Sequence, residues 1–493
     1  MTVVNDVQRD EPQSDDLLTQ TNVSPVDCIA QIALHTASSC NCASDAPGPK
    51  NKPTLRIALV TETWPPEING VAHSVFQLCQ GLKANGHNLM LIRPSQLHSI
   101  LNTPADEELL VRGFAIPRYK TLQFGAPAYA RIKQQLAQYQ PDLVHIVTEG
   151  PLGLAALYAA RTLGIPVSSG FHSPFHEFST HFGLGLLLTP IISYLRYFHN
   201  RTDVTCVPSE KTQVQLLEMG IRNLAIVSRG VNTEQFNPAH RDLALRSQWG
   251  VGEQTTVLLY VGRLSPEKNI DLVIAAFREL QVEQPLRAAQ LVLVGDGPDR
   301  ARLEKLAPDA IFAGMQTGEA LGKHYASSDV FVFASQVETF GNVVLEAMAS
   351  GLPVLAFDDA AAGQLVTTNQ SGWLTPLKQE QQFKRFAAEL PKQIRLQAMG
   401  KDASARVQAM GWQQAVAQLE QVFYTVCKKQ RATLDAAGAM ESKPTIPRSV
   451  QAAAQGSVQE HKADQQRGIQ QSSPRSAPPT VLKTIRTTEE TLP

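Results

Sequence analysis

This chain lacks a surplus of charge of either sign: 44 lysines and arginines stand against 45 aspartates and glutamates, a formal net charge of −1. The overall balance therefore suggests neither nucleic acid nor a strongly anionic partner, although a local basic patch is still allowed. Cysteine is sparse, with six in 493 residues and only Cys40 and Cys42 close together. Taken with Cys28 and His35 these two match no zinc spacing, so they read as free thiols. No apolar run reaches the ~18 residues of a membrane span; Gly183 to Phe198 comes nearest and is broken by Pro190 and Arg196. Met1 to Asp16 lacks the basic start and apolar stretch of a secretory signal, which predicts a cytoplasmic protein. An Asp-x-Asp cluster is missing from the core of the chain, so no required metal and no cofactor are expected. The full Gly-x-Gly-x-x-Gly fingerprint with its downstream acid is also missing, which leaves Gly295-Asp-Gly-Pro298 as a tight turn.

What is present is the alternation of short apolar runs with helical stretches that marks an α/β protein. Strands are expected at 55–60, 89–92, 143–147, 166–169 and 204–207, and again at 256–261, 290–294, 310–312, 329–334 and 354–357. Helices are expected between them, among them 70–85, 151–163 and 269–280. The pattern predicts two doubly wound, Rossmann-like domains, 54–240 and 241–410, facing across one cleft at the carboxyl ends of their strands. A helical segment is expected at 411–429, with Ala415, Leu419, Val422 and Phe423 near one face. Residues 1–53 and 430–493 are rich in Gln, Ser, Thr, Ala and Pro and poor in aromatics, so both are expected to be disordered tails.

The most informative stretch is Glu338-Thr-Phe-Gly-Asn-Val-Val-Leu-Glu346, which sets two carboxylates eight residues apart across a junction from strand to helix. Amides from Phe340 through Gly341, Asn342 and Val343 to Val344 are candidate helix N-terminal donors for an anion such as a diphosphate. Gly341 permits close approach of the backbone to a ligand. Arg263 and Lys268 follow a strand end, five residues apart in a loop containing Pro266. Two fixed cations there can neutralise charge growing on a leaving diphosphate. Taken alone Arg263 and Lys268 read as a solvated pair in a surface loop, and Glu338 and Glu346 as exposed carboxylates at a helix end whose spacing is common by chance.

The set Phe171-His-Ser173, Arg229-Gly-Val-Asn232 with Phe236, Val261 to Lys268, Val294-Gly-Asp-Gly-Pro298 and Glu338 to Glu346 resembles glycosyltransferase family 4, the retaining enzymes with the GT-B fold. The resemblance covers about residues 54 to 427. Thr61 to Gly70 and Tyr194 to Arg201 look most like its lipid-directed mannosyl and sulfoquinovosyl transferases. It implies Arg263 and Lys268 on the diphosphate, Glu338 on the donor sugar, Glu346 on the ribose and Met315 beside the base. A Met after a strand is also a common packing residue. It implies His172 as an active-site group whose imidazole projects from a strand end into the cleft, with His176 and His181 toward the acceptor. Gly70 stands where the family often carries two glycines near the diphosphate; here the pair is Asn69-Gly70. In relatives the last helix crosses back onto the first domain.

The resemblance implies transfer of a hexose, with mannose from GDP-mannose foremost, to a lipid or lipid-linked acceptor. A UDP-linked glucosyl or sulfoquinovosyl donor, or a soluble sugar or polysaccharide acceptor, would share every donor motif. A non-catalytic nucleotide-sugar binder would be expected to lack some of His172, Arg263, Lys268, Glu338 and Glu346, and all five are present. The stretch 183–201 is read two ways: apolar and aromatic groups beside Arg196 and Arg201 suit peripheral contact with anionic lipid, and a buried helix explains its leucines as well.

Overall fold

The computed structural model describes residues 53–441 except 68, 97–102, 117–118 and 173–187. Its first half is a parallel sheet of β1 (Arg56–Val60), β2 (Asn88–Pro94), β3 (Glu107–Val111), β6 (Leu143–Ile146), β7 (Val167–Gly170), β8 (Val204–Val207) and β9 (Leu224–Ile226). They lie in the order β3-β2-β1-β6-β7-β8-β9. An antiparallel hairpin, β4 (Gly113–Ile116) and β5 (Tyr119–Gly125), is inserted between β3 and β6 in the chain. The second half repeats the plan with β10 (Thr256–Val261), β11 (Ala289–Val294), β12 (Ile311–Gly314), β13 (Val330–Phe333), β14 (Val354–Phe357) and β15 (Gly372–Thr375), ordered β12-β11-β10-β13-β14-β15. In each sheet the order reverses beside the first strand of that half, β1 or β10. This is the doubly wound plan that gathers ligands at the strands' carboxyl ends.

Five helices position the cleft and the crossing between the halves: α1 (Gly70–Ala84), α2 (Pro151–Thr162), α3 (Leu188–His199), α4 (Asn342–Ala349) and α5 (Trp412–Glu441). α1 buries Ala72, Val75, Leu78, Cys79 and Leu82, a stripe at helical spacing that faces the first sheet. α5 packs into the same apolar cluster through Ala415, Val416, Leu419, Phe423 and Val426. A Cβ at Gly81 would lie 2.4 Å from a Val416 methyl carbon, so the two helices approach this closely only because residue 81 is glycine. Polar contacts fix the crossing, with Asn85 Nδ2 donating to Glu420 at 2.5 Å and Gln418 Oε1 accepting from the Ser228 amide at 2.8 Å.

Val231 and Phe236, ahead of the boundary expected at residue 240, pack in the second half's apolar core. The Val231 amide donates to Met410 O at 2.9 Å, and Val231 and Gly411 form a parallel bridge, so the outgoing and returning crossings run side by side. The segment expected as a tail from residue 430 begins as helix. α5 runs on to Glu441 because 430–441 contain good helix formers and no proline, and Gln430 donates to Gly164 O at 3.1 Å. Residues 1–52 and 442–493, with Cys28, Cys40 and Cys42, lie outside the described residues.

Candidate active site

Two helix N-termini meet where the strand ends of the halves face each other, and they differ in what their amides already do. At α1, Asn69 Oδ1 accepts from the Val71 and Ala72 amides at 3.1 and 2.8 Å, so the cap consumes two of the donors an anion would use. At α4 the cap is Gly341, in the left-handed region with φ +85°, and no side chain caps the turn. The amides of Asn342 and Val343 therefore point out of an open helix end, the arrangement that favours a bound anion. Val344 N instead bonds Gly341 O at 3.0 Å. A Cβ on Gly70 would stand 3.9 Å from Asn342 Nδ2. Asn342 Nδ2 donates to Ser74 Oγ at 3.1 Å, and Ser74 Oγ to Gly70 O at 2.7 Å, so the two helix ends are stitched together across the cleft.

Lys268 and Glu338 form an ion pair at this junction, both largely buried. Phe340, behind them, is buried in the core. Lys268 ends a short 3-10 turn, Pro266–Lys268, whose start is fixed by Ser265 Oγ donating to Glu267 at 2.6 Å. Arg263 is half-buried in the same loop, and its carbonyl accepts from Tyr260 OH at 3.0 Å. The Gly295-Asp-Gly-Pro298 turn braces that loop. Leu264 N donates to Asp296 O and Asp299 N to Leu264 O, each at 3.0 Å, and a Cβ at Gly295 would fall 1.9 Å from Gly262 O. The tight turn expected there is thus a support for the two cations. Met315 is 45% exposed after β12, so it is not a core packing residue. Glu346, half-buried inside α4, accepts from Tyr325 OH at 2.9 Å. Burial pushes its carboxyl up to about 7, partly offset by that bond.

From the first half, His172 follows β7 as expected, but its ring is not projected into open space. It is buried and folds back over Gly170, where a Cβ would lie 2.2 Å from Nε2. Its Nδ1 accepts from the Arg229 guanidinium, itself buried. What His172 offers the second half is its carbonyl oxygen, which accepts from Thr339 Oγ1 at 2.8 Å. Within β7, whose successive side chains point to opposite faces, His145 Nδ1 meets Ser168 Oγ at 2.9 Å on one side and His199 Nδ1 meets Ser169 Oγ at 3.0 Å on the other. His176 and His181 lie outside the described residues. Among those described, no group of three His, Cys, Asp or Glu could hold a metal ion.

Sequence reasoning passed over Arg229, Thr339 and Ser74. Arg229 stood in a quoted motif but carried no role, because its contact with His172 spans 57 residues. Thr339 and Ser74 act through single hydrogen bonds to the other half, which no spacing within either segment discloses. In the described part of 183–201, α3 buries Leu195 and Phe198, while Tyr194 and Arg196 are exposed and Arg201 stacks 3.6 Å from the Tyr197 ring centroid. No described helix is long and apolar enough to cross a membrane.

The family model described as glycosyl transferases group 1 matches residues 243–406, and that of Glycosyltransferase Family 4 matches 68–235. A GDP-mannose-dependent alpha-mannosyltransferase of Mycobacterium tuberculosis is 34% identical over 334 residues, covering 66% of this chain and 84% of that protein. An alpha-monoglucosyldiacylglycerol synthase of Streptococcus pneumoniae is 29% identical, covering 65% of this chain and 75% of its own. Among solved structures, the Anabaena protein HepE in complex with UDP and glucose superposes with a TM-score of 0.59 at 19% identity, over 76% of this chain and 99% of that one. A sucrose-phosphate synthase of Thermosynechococcus elongatus gives 0.62 at 22%, over 76% and 99%.

Proposed function

Since the chain belongs to glycosyltransferase family 4, the GT-B hexosyltransferases, we propose that it transfers mannose from GDP-mannose to a lipid or lipid-linked acceptor, with retention and without a required metal. The observation that carries this reading is the uncapped N-terminus of α4, flanked by Lys268 and Glu338 and opposed by Gly70. Helix amides and two cations supply the charge neutralisation that a departing diphosphate needs, at the place where the charge develops. Glu338, paired with Lys268, orients the sugar hydroxyls, and Glu346 receives the ribose. In this reading the acceptor hydroxyl attacks from the face the phosphate leaves, and the leaving phosphate oxygen takes its proton. No carboxylate of the site is assigned a nucleophilic role.

GDP-mannose as donor is supported by relatives that bear that name at 34% and 35% identity. A UDP-linked glucosyl or sulfoquinovosyl donor is the second reading; transfer of those sugars is supported by the alpha-monoglucosyldiacylglycerol synthase relative and by a sulfoquinovosyl transferase of Arabidopsis thaliana, 33% identical over 53% of this chain and 51% of its own. A lipid acceptor is supported by the diacylglycerol relative, and α3 with its exposed Tyr194 and Arg196 is the surface proposed to rest on a membrane. The test is incubation with labelled GDP-mannose, UDP-glucose and UDP-sulfoquinovose in turn, with a membrane lipid extract. Label from GDP-mannose alone in the organic phase is the expected result; label from a UDP sugar alone replaces the donor. Glu338→Ala is expected to lower transfer about a hundredfold with the thermal midpoint unchanged, on the order of one lost electrostatic contact. An unimpaired variant removes Glu338 from the site.

A further inference from the structure

Arg229 is a buried guanidinium, and among the described residues no carboxylate is paired with it. Burial lowers its ionisation to about 10, so it is still a cation at neutral pH. A buried charge without an anion is costly and calls for an explanation. Its hydrogen-bonding partner is His172 Nδ1. A guanidinium has donors only, so Nδ1 must be the accepting nitrogen, and a neutral ring then carries its single proton on Nε2. The ring is neutral: burial first, then the Arg229 charge, then His145 and His199, hold it well below the ordinary histidine range. Geometry fixes the rest of the segment. Gly170 makes room for Nε2, and Thr339 Oγ1 grips the carbonyl at 2.8 Å.

We propose that Arg229 is a positioning residue for the transfer reaction: it locks the His172 ring as the neutral Nε2–H tautomer folded over Gly170, so that segment 170–172 holds its carbonyl fixed beside the Glu338 loop. His172, neutral and held by Arg229, then does not serve as a base. The reaction this positions rests on the glycosyl transfer proposed above, but the lock itself can be read without turnover.

The experiment compares the full-length protein with Arg229→Met, which keeps length and loses the donor, and Arg229→Lys, which keeps a donor. Ring nitrogen resonances of His172, assigned through His172→Gln, report the tautomer, and GDP affinity reports the integrity of the second half. The wild type is expected to show one neutral tautomer protonated at Nε2 across pH 6 to 8. Arg229→Met is expected to give mixed tautomers and about a tenfold lower kcat, with KM for the donor and GDP affinity within about twofold. Arg229→Lys is expected to restore the single tautomer and most of kcat. A wild-type proton on Nδ1, or an Arg229→Met protein with unchanged tautomer and kcat, overturns the proposal. So does a loss of thermal stability and GDP affinity together with the tautomer intact, which marks a structural residue only. Absence of transfer from GDP-mannose in the wild type, with the tautomer as expected, would count against the donor reading and leave the lock standing.

Discussion

Glu346 carries a cost at the residue scale that the ligand-free protein does not relieve. Its carboxyl is moved from 4.5 to about 7 by burial within α4, with the Tyr325 hydroxyl as its hydrogen-bond donor. A folded value above the unfolded one means that the folded state binds the proton more tightly. Stability from this group is therefore greatest below about pH 4.5 and falls as pH rises toward about 7, by an amount on the order of 2–3 kcal/mol. A ribose donating to the carboxylate would compensate the charged form. Glu346→Gln keeps the shape and removes the charge, so its thermal midpoint at pH 8 is expected to exceed that of the wild type, while near pH 4.5 the two converge. Donor affinity is expected to fall in the same variant. Glu62, buried in the loop after β1 where it accepts from the Leu152 amide of α2, is also raised to about 7 and leaves a residual slope common to both proteins, so the difference between them is the quantity to measure. Equal midpoints at pH 8 would show that Glu346 bears no such burden. Of the site residues, Glu338, Lys268 and Glu346 were legible because strand, turn and helix follow one another within a few positions. The buried ring of His172 was not, since its direction depends on Arg229, 57 residues away in the chain.

At the scale of elements, the contrast between the two helix starts is open to test. Asn69 caps its own helix, so Asn69→Ala is expected to cost about 1 kcal/mol of stability and to change GDP affinity little. Gly341 sits at φ +85° ahead of open amides, so Gly341→Ala costs roughly 1–2 kcal/mol of backbone strain, and it is expected to weaken GDP binding about tenfold by displacing those amides, the equivalent of about 1.4 kcal/mol. The opposite ranking in a titration would transfer the diphosphate from α4 to α1. The same physics explains which elements could be read from the chain. Interior strands such as β1, β10 and β13 are apolar on both faces and stand out as continuous runs. β3, with Glu107, Glu108 and Leu110 exposed, and β9, three residues long, are edge strands whose solvated faces dilute the signal. The hairpin β4–β5 went unread for a related reason: Phe114 is exposed and stacks on Phe124, a local pair rather than a core stripe.

For the whole molecule the governing fact is that the described halves touch through a few polar contacts beside two adjacent chain crossings. Thr339 Oγ1 donates to His172 O at 2.8 Å, Asn342 Nδ2 to Ser74 Oγ at 3.1 Å, and Lys211 pairs with Asp359. α5, by contrast, is anchored in the first half's core, and its start bridges to Val231, so the crossings resemble a hinge held at one end. Small polar latches beside a hinge set an equilibrium between open and closed forms, and each neutral hydrogen bond contributes about 1 kcal/mol. Removing both neutral latches with Ser74→Ala and Thr339→Val is expected to cost the closed form about 2 kcal/mol, roughly a thirtyfold shift toward open molecules. Energy transfer between dyes placed on α2 and on the helix Gln393–Val407 reads this directly. The ligand-free double variant should show the longer distance, and saturating GDP should restore the shorter one, because a ligand seated on α4 and facing Gly70 across the cleft favours closure by its differential affinity. The apparent GDP affinity should weaken by the same factor as the closed population falls. If the dye distances and GDP affinity of the double variant match those of the wild type, the contacts between Thr339 and His172 and between Asn342 and Ser74 do not govern closure, and the hinge segments at Val231 and Gly411 do.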